Sequence, residues 1–332
     1  MTEIRDFGEI GGEPVQEIVL SSDGGATASI LTIGAAIRGL EVPVRGGRRS
    51  VVLGYDSVEG YRDNGAHLGV MVGRCANRIA GGRFRLDGVE HRVAINEGGR
   101  NTLHGGPMGF TRRIWSILEA SADSVALGLV SEDGDQGFPG RVEVRLVYRL
   151  RGAGVLDISA TATSDAPTPV NLANHAYFTL NRAGDCREHL LEIAADLYTP
   201  VDDALIPTGA MVPVAATAFD FRDARPIGGD YDIAFALRGR PDERMVAARA
   251  TAPDGSLALE VETDQPSLQL YTAGFLAPSP LAAHGLAHGP HAGFCLEAQG
   301  FVDAPNHRNF PSVILRPGET YRNETTYRLI AL

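Results

Sequence analysis

Apolar and polar residues alternate along much of this chain with a period of two. In 141–150 (RVEVRLVYRL), Val142, Val144, Leu146, Tyr148 and Leu150 fall on one side and Arg141, Glu143, Arg145 and Arg149 on the other. That is the pattern of a strand with one buried face. The segment 156–163 (LDISATAT) repeats it, as do 257–263 and 321–329. Phe84–His91 (FRLDGVEH) reads as a hairpin that turns at Asp87-Gly88, two residues that accept positive φ. No long apolar stripe at helical spacing and no fixed-period repeat is visible. Turn formers recur throughout, with 40 Gly and 19 Pro, which suits many short strands. The pattern predicts an all-β protein, one large antiparallel domain of stacked or twisted sheets spanning 1–332. Loops are expected at 54–64, 97–109, 132–140 and 276–293.

Composition narrows the chemistry. At 332 residues the length alone suggests two domains of roughly 150 residues each, but large β folds run past that as one unit. The net charge is −11, from 30 basic and 41 acidic residues, and every basic residue is Arg. Without lysine there can be no Schiff base, no pyridoxal-phosphate attachment and no phosphate loop of the Walker type. Codon usage in a GC-rich genome is the simpler account of the missing lysine. The acidic balance argues against a nucleic-acid surface and favours neutral small molecules. Met1–Gly8 lacks a basic segment leading into an apolar one, and no apolar run approaches the roughly 18 residues of a membrane span. Cys75, Cys186 and Cys295 are odd in number and widely spaced. They read as reduced thiols in a cytoplasmic protein with no membrane partner.

Neither a G-x-S-x-G elbow nor a G-x-G-x-x-G turn is present. His284, His288 and His291 have a spacing that metal ligands adopt, but Gly285, Gly289 and Pro290 make the segment a loop. It is read as solvated, with no metal expected. Three groups of polar residues stand in apolar runs, where burial is costly. His175 lies with Asn174 and Tyr177 in 171–178 (NLANHAYF), and Glu297 lies in 294–300 (FCLEAQG). A carboxylate buried in a pocket shifts toward the neutral range that acid–base work requires. Arg74, Asn77 and Arg78 lie in 73–79 (GRCANRI), where each arginine needs an anion or dense hydrogen bonding.

Together these segments resemble the aldose 1-epimerase (galactose mutarotase) family along almost the whole chain. The resemblance is carried by 52–61 (VLGYDSVEGY), 73–82 (GRCANRIAGG), 101–106 (NTLHGG) with Gly109, Phe110 and Trp115, and 135–140 (DQGFPG). It continues through 170–178 (VNLANHAYF), 219–222 (FDFR), 269–272 (QLYT), 296–299 (LEAQ) with Asp303 and Asn306, and 315–321 (LRPGETY). The resemblance implies a large twisted β-sandwich of the galactose mutarotase type and interconversion of the α and β anomers of a free sugar. It implies Glu297 and His175 as the catalytic pair. Substrate contacts would be Asn77, Arg78, His104, Tyr177, Asp232 and Gln269. The partner would be a monosaccharide, with no cofactor, and the protein a monomer or homodimer.

The chemistry agrees with those residue types. Mutarotation takes a proton from the C1 hydroxyl and gives one to the ring oxygen, and the roles reverse on closure, so one carboxylate and one imidazole suffice. Departures from the family pattern fall at Ala298, Val302, Thr179, Ile233 and Ala273-Gly274. They leave the acid and base in place and the preferred sugar open. Sugar-phosphate epimerisation with help from Arg74, a non-catalytic sugar sensor, and a glycosidase using Asp232 and Glu297 are the alternatives.

Overall fold

The computed structural model describes residues 2–181, 184–239 and 243–332. Three antiparallel sheets dominate it. The first is a five-stranded meander, Glu3–Ile10, Glu13–Ser21, Thr27–Leu31, Ile37–Val44 and Gly47–Ser50. The largest has nine strands, in the spatial order Ser116–Ala120, Ser124–Ser131, Val142–Arg151, Val155–Ser164, Tyr321–Ala331, Leu257–Thr263, Met245–Thr251, Leu190–Ile193 and Arg225–Pro226. The third has five, Val212–Pro213, Ala195–Thr199, Asp232–Leu237, Ser267–Tyr271 and Cys295–Gln299. The all-β architecture of antiparallel sheets expected from the alternation, and implied as a sandwich by the family resemblance, is the one the chain adopts.

The alternation is what joins the layers. Val142, Val144, Leu146, Tyr148 and Leu150 are buried, and Glu143, Arg145 and Arg149 on the other face are exposed. Each aliphatic side chain so buried contributes about 1.5–3 kcal/mol. Leu156, Ile158, Ala160 and Ala162 line the same core from the neighbouring strand, and Ile18, Leu20 and Ile30 meet them from the first sheet. Tyr148 also bridges the layers, its hydroxyl donating to the carbonyl of Ala35 at 2.7 Å. The Asp87-Gly88 hairpin forms as expected, with Leu86 paired to Val89 and both turn residues at positive φ, 49° and 86°.

One expected loop contains a helix. Val58–Arg62 is a single α-helical turn within 54–64. Val58 and Tyr61 are three residues apart and both buried, Glu59 lies in its first turn and Arg62 in its last. That is the charge order a helix dipole favours, but five residues are too few for a periodic signal. No helix among the described residues is long and apolar enough to cross a membrane.

Short ladders position the loops above the sheets. Met71–Val72 pairs with Ala173–Asn174, and Arg78–Ile79 with Thr102–Leu103. Arg74 lies between them, 1% exposed. Its Nη1 donates to the carbonyls of Pro139 and Gly140 and to Thr168 Oγ1. Nη2 donates to the carbonyls of Ser131 and Glu132 and to Ser131 Oγ. Dense hydrogen bonding, not an anion, accounts for this arginine, and it ties the 131–140 turn to the segment that leads into the next ladder.

Replacing Arg74 with methionine keeps the bulk and takes the guanidinium donors from the buried acceptors of Ser131, Gly140 and Thr168, each costing about 1–3 kcal/mol. Arg74→Met is expected to lower the unfolding free energy by at least about 3 kcal/mol in a urea titration. Arg74→Lys, with one nitrogen in place of the fork, should recover only part of it. An unchanged midpoint in Arg74→Met would show that the network carries no net stability.

Candidate active site

A cavity of about 610 Å³ opens beside the third sheet, walled by that sheet and by the loops around 63–67, 77–78, 97–104 and 276–281. Strand alternation explains how a carboxylate comes to line it. In Cys295–Gln299 all five residues are buried. Leu296 and Ala298 join the main core, so Cys295, Glu297 and Gln299 face the other way. Glu297 is 2% exposed, and its Oε2 is enclosed with no hydrogen-bond partner.

His175 arrives from a different segment. Its backbone N–H donates to the Val70 carbonyl at 2.9 Å, and its own carbonyl accepts from Gly69 N–H at 3.0 Å. The ring stacks on Tyr177 at 5.1 Å between centroids, and Nδ1 lies 3.5 Å from Cys295 Sγ. Nε2 is 3.7 Å from Glu297 Oε1. That is beyond hydrogen-bond reach, so the two groups face one another without consuming the atoms that would move protons.

A polar clamp stands next to them. Arg78 donates from Nε and Nη2 to the Glu97 carboxylate at 2.8–3.1 Å, and from Nη1 to Asp232 Oδ2 at 3.4 Å and to Asn77 Oδ1 at 3.3 Å. Gln269, directly opposite Glu297 in the strand register, donates to Asp232 Oδ1 at 2.6 Å. The Asn77 N–H donates to His104 Nδ1 at 3.1 Å, and the His104 N–H donates to the Asn77 carbonyl at 3.0 Å. Because Nδ1 accepts, neutral His104 carries its proton on Nε2. Asn77 and His104 both take positive φ, 59° and 50°.

Burial sets the protonation states. It raises Glu297 well above the ordinary carboxylate range, and the nearby Asp232 charge adds to the shift while Arg78 opposes it. Burial pushes His175 down to about 3, with His67 reinforcing the effect. His104 lies well below its ordinary value, first from burial and then from His67, His175 and Arg78. Desolvation works against the charge on Arg78, but the Glu97 hydrogen bonds and the Asp232 charge hold it above its usual value. Burial in the cavity wall therefore favours a protonated carboxyl beside a neutral imidazole.

Of the residues singled out from sequence, Asn77, Arg78, His104, His175, Tyr177, Asp232 and Glu297 all line this cavity. Gln269 stands behind Asp232 and does not line it. The Tyr177 hydroxyl is engaged, donating to the Ala66 carbonyl at 2.7 Å. Arg74 lies outside the cavity, in the network already described. His284, His288 and His291 do not converge. His284 packs on Gly39, His288 lies edge-on to Tyr55, and His291 meets the Thr272 carbonyl. Among the described residues no three or more His, Cys, Asp or Glu side chains are grouped as metal ligands.

Glu97 and His67 also line the cavity and were not singled out from sequence. Glu97 had one usable signal, since Arg78 in an apolar run requires a carboxylate partner. His67 had none.

The sequence model of the family described as aldose 1-epimerase matches residues 16–328. The galactose mutarotase of Bos taurus is 41% identical over 335 residues, covering 97% of this chain and 96% of its own. The aldose 1-epimerase of Escherichia coli (strain K12) is 39% identical over 339 residues, covering 96% of each. Among solved structures, an aldose epimerase homologue from C. elegans superposes with a TM-score of 0.90 at 31% identity, covering 95% of this chain and 99% of its own.

The buried imidazoles make stability depend on pH. His67 at about 4, His175 at about 3 and His189 at about 4 are all depressed, and each takes up a proton near 6.5 once unfolded. The unfolded chain therefore binds more protons below 6.5, and their contribution, fully present above 6.5, is lost as pH falls toward 3–4. Glu297 and Asp303 act with the opposite sign, but they are fewer than the depressed imidazoles, which also include His104, His284 and His288. The urea midpoint is expected to be lower at pH 5 than at pH 7. Equal midpoints would mean that these rings are not buried neutral.

Proposed function

The chain belongs to the aldose 1-epimerase family and interconverts the α and β anomers of an aldose, and we propose that Glu297 is its general base and His175 its general acid. The observation that carries this reading is the unbonded approach of the two groups, 3.7 Å apart in one cavity wall, with Glu297 Oε2 unpartnered. In the ring-opening direction the Glu297 carboxylate takes the proton of the C1 hydroxyl while protonated His175 gives its Nε2 proton to the ring oxygen. The products are the open-chain aldehyde, a protonated Glu297 and a neutral His175. Rotation about C1–C2 presents the other face of the carbonyl. His175 then takes the proton from the C5 hydroxyl as Glu297 returns its own to the carbonyl oxygen.

Burial favours the protonation states of the open-chain stage. A raised Glu297 and a depressed His175 are the pair that faces the aldehyde and can close it on either side. One proton shared by the pair serves both directions. Asp232, Arg78, Asn77 and His104 are placed to hold sugar hydroxyls by charge-assisted and neutral hydrogen bonds. Gln269 fixes Asp232, and Tyr177 supports the His175 ring.

A free monosaccharide, galactose or glucose among the candidates, fits better than a sugar phosphate. Arg78 is the only strong cation among the described lining residues, and two carboxylates already bind it. Glu59 and Asp63 add further negative charge to the wall. The free, buried state of Cys75, Cys186 and Cys295 supports a reducing, cytoplasmic setting. The core shared by the sheets supports one domain over 1–332, and the assembly we propose is a monomer or homodimer.

The test is anomer exchange in freshly dissolved α-galactose, α-glucose and α-xylose, followed by polarimetry or NMR. Glu297→Gln and His175→Phe are each expected to lower kcat by roughly 10²–10⁴. A full rate in Glu297→Gln would overturn the base assignment. Because the pair holds one proton, kept on Glu297 and off His175 by burial, moving it between them leaves the proton count unchanged, and the rate should run level between pH 5 and pH 7. An inflection near 6.5 would instead mark an imidazole titrating as it does in water.

A further inference from the structure

His67 lines the cavity, and the mechanism above leaves it without a task. Its ring centroid is 4.5 Å from that of His104 and 6.1 Å from that of His175. Nδ1 is enclosed, so Nε2 is the ring nitrogen open to a ligand in the cavity. A neutral imidazole offers one donor and one acceptor, and a nitrogen that gives up water to a ligand without gaining a partner is unfavourable. A hydroxyl, which both donates and accepts, is the complementary group.

The loop holds this ring in place. Asn64 closes it with its side chain, Oδ1 accepting from Leu68 N–H at 2.8 Å and Nδ2 donating to the Leu68 carbonyl at 3.2 Å. The His67 N–H donates to the Asn64 carbonyl at 3.2 Å, and His67 takes φ +57°, a conformation that residues other than Gly rarely adopt. The next residues are tied to the His175 backbone through Gly69 and Val70. The position of His67 relative to His175 is therefore fixed before any ligand binds.

The direction in which it faces follows from the proposed acid–base roles, on which this inference rests. Glu297 attends the C1 hydroxyl and His175 the ring oxygen. A pyranose ring oxygen has two neighbours, C1 and C5. Glu297 stands on the third sheet with Gln269 and Asp232, while His67 stands on the separate loop strapped to His175. The loop side faces C5 and its substituent. We propose that His67 is a specificity residue that hydrogen-bonds the hydroxymethyl group on C5 of an aldohexose, favouring hexoses over pentoses and 6-deoxy sugars.

The experiment compares kcat/KM for galactose with its 6-deoxy analogue, and for glucose with xylose, in the wild type, His67→Phe and His67→Gln. Wild type should favour the hydroxymethyl sugar by about five- to tenfold, the scale of one neutral hydrogen bond. His67→Phe, which keeps a ring but no nitrogen, should bring both ratios toward one. His67→Gln, with a donor and an acceptor, should restore part of the preference. A ratio that His67→Phe leaves untouched overturns the proposal, as does an equal fall for both sugars of a pair. Wild type without a preference overturns it with no variant needed. Failure of the acid–base assignment shows separately, as a full galactose rate in Glu297→Gln.

Discussion

The site depends on a carboxylate and an imidazole desolvated in one wall without bonding to each other. Burying either charge alone is unfavourable by several kcal/mol, and a direct hydrogen bond between them would offset part of that. At 3.7 Å they forgo it. Burial then decides where the proton rests, on Glu297 and off His175, and no bond between the two has to break before either moves a proton. The strand that carries Glu297 offsets the cost through its other face, where Leu296 and Ala298 are packed in the main core. The same period-two backbone thus secures the strand and exposes the reactive group.

The adjoining part of the wall is costly in a second way. His67, Asn77 and His104 all sit at positive φ, a conformation that costs a residue other than glycine of order 1–3 kcal/mol. Each is held by neighbours that leave it little choice. Asn64 closes the loop around His67, and Asn77 and His104 bind each other through reciprocal hydrogen bonds. Gly105 follows at φ +84°, where a Cβ would lie 2.0 Å from the Gly73 carbonyl oxygen. That close approach fixes how far the His104 turn lies from the segment bearing Asn77 and Arg78. Strain of this kind directs three ring or amide groups into one cavity, which regular strands could not do.

The contrast between core and wall explains what was legible in the sequence. The faces of Val142–Arg151 and the Asp87-Gly88 turn could be read directly, because period two and positive-φ residues are local signals. Glu297 and His175 stood out as polar residues where burial would be unfavourable, and both are buried. Arg74 and Arg78 looked alike in 73–79, yet one is consumed by carbonyls and hydroxyls and the other by carboxylates of the cavity. Only the fold separates them, since the partners of Arg74 come from 131–140 and 168 and the carboxylates on Arg78 from 97 and 232. The helix Val58–Arg62 and the role of His67 depend on contacts across the chain, and a turn-rich stretch gives no periodic hint of either.

The absence of lysine bears on Arg78 more than on the reaction. An ammonium is a single point of charge, whereas the guanidinium spreads its donors over a fixed plane. Two of its nitrogens grip Glu97, and the third reaches Asn77 and Asp232. One residue thereby spaces three others across the cavity wall, and Asp232 passes the constraint to Gln269, the register partner of Glu297. Its charge is neutralised in doing so, and the wall keeps an excess of carboxylates. Arg78 therefore serves as a spacer rather than an anion hook. A cavity arranged in this way selects for a ligand that is uncharged and rich in hydroxyl groups.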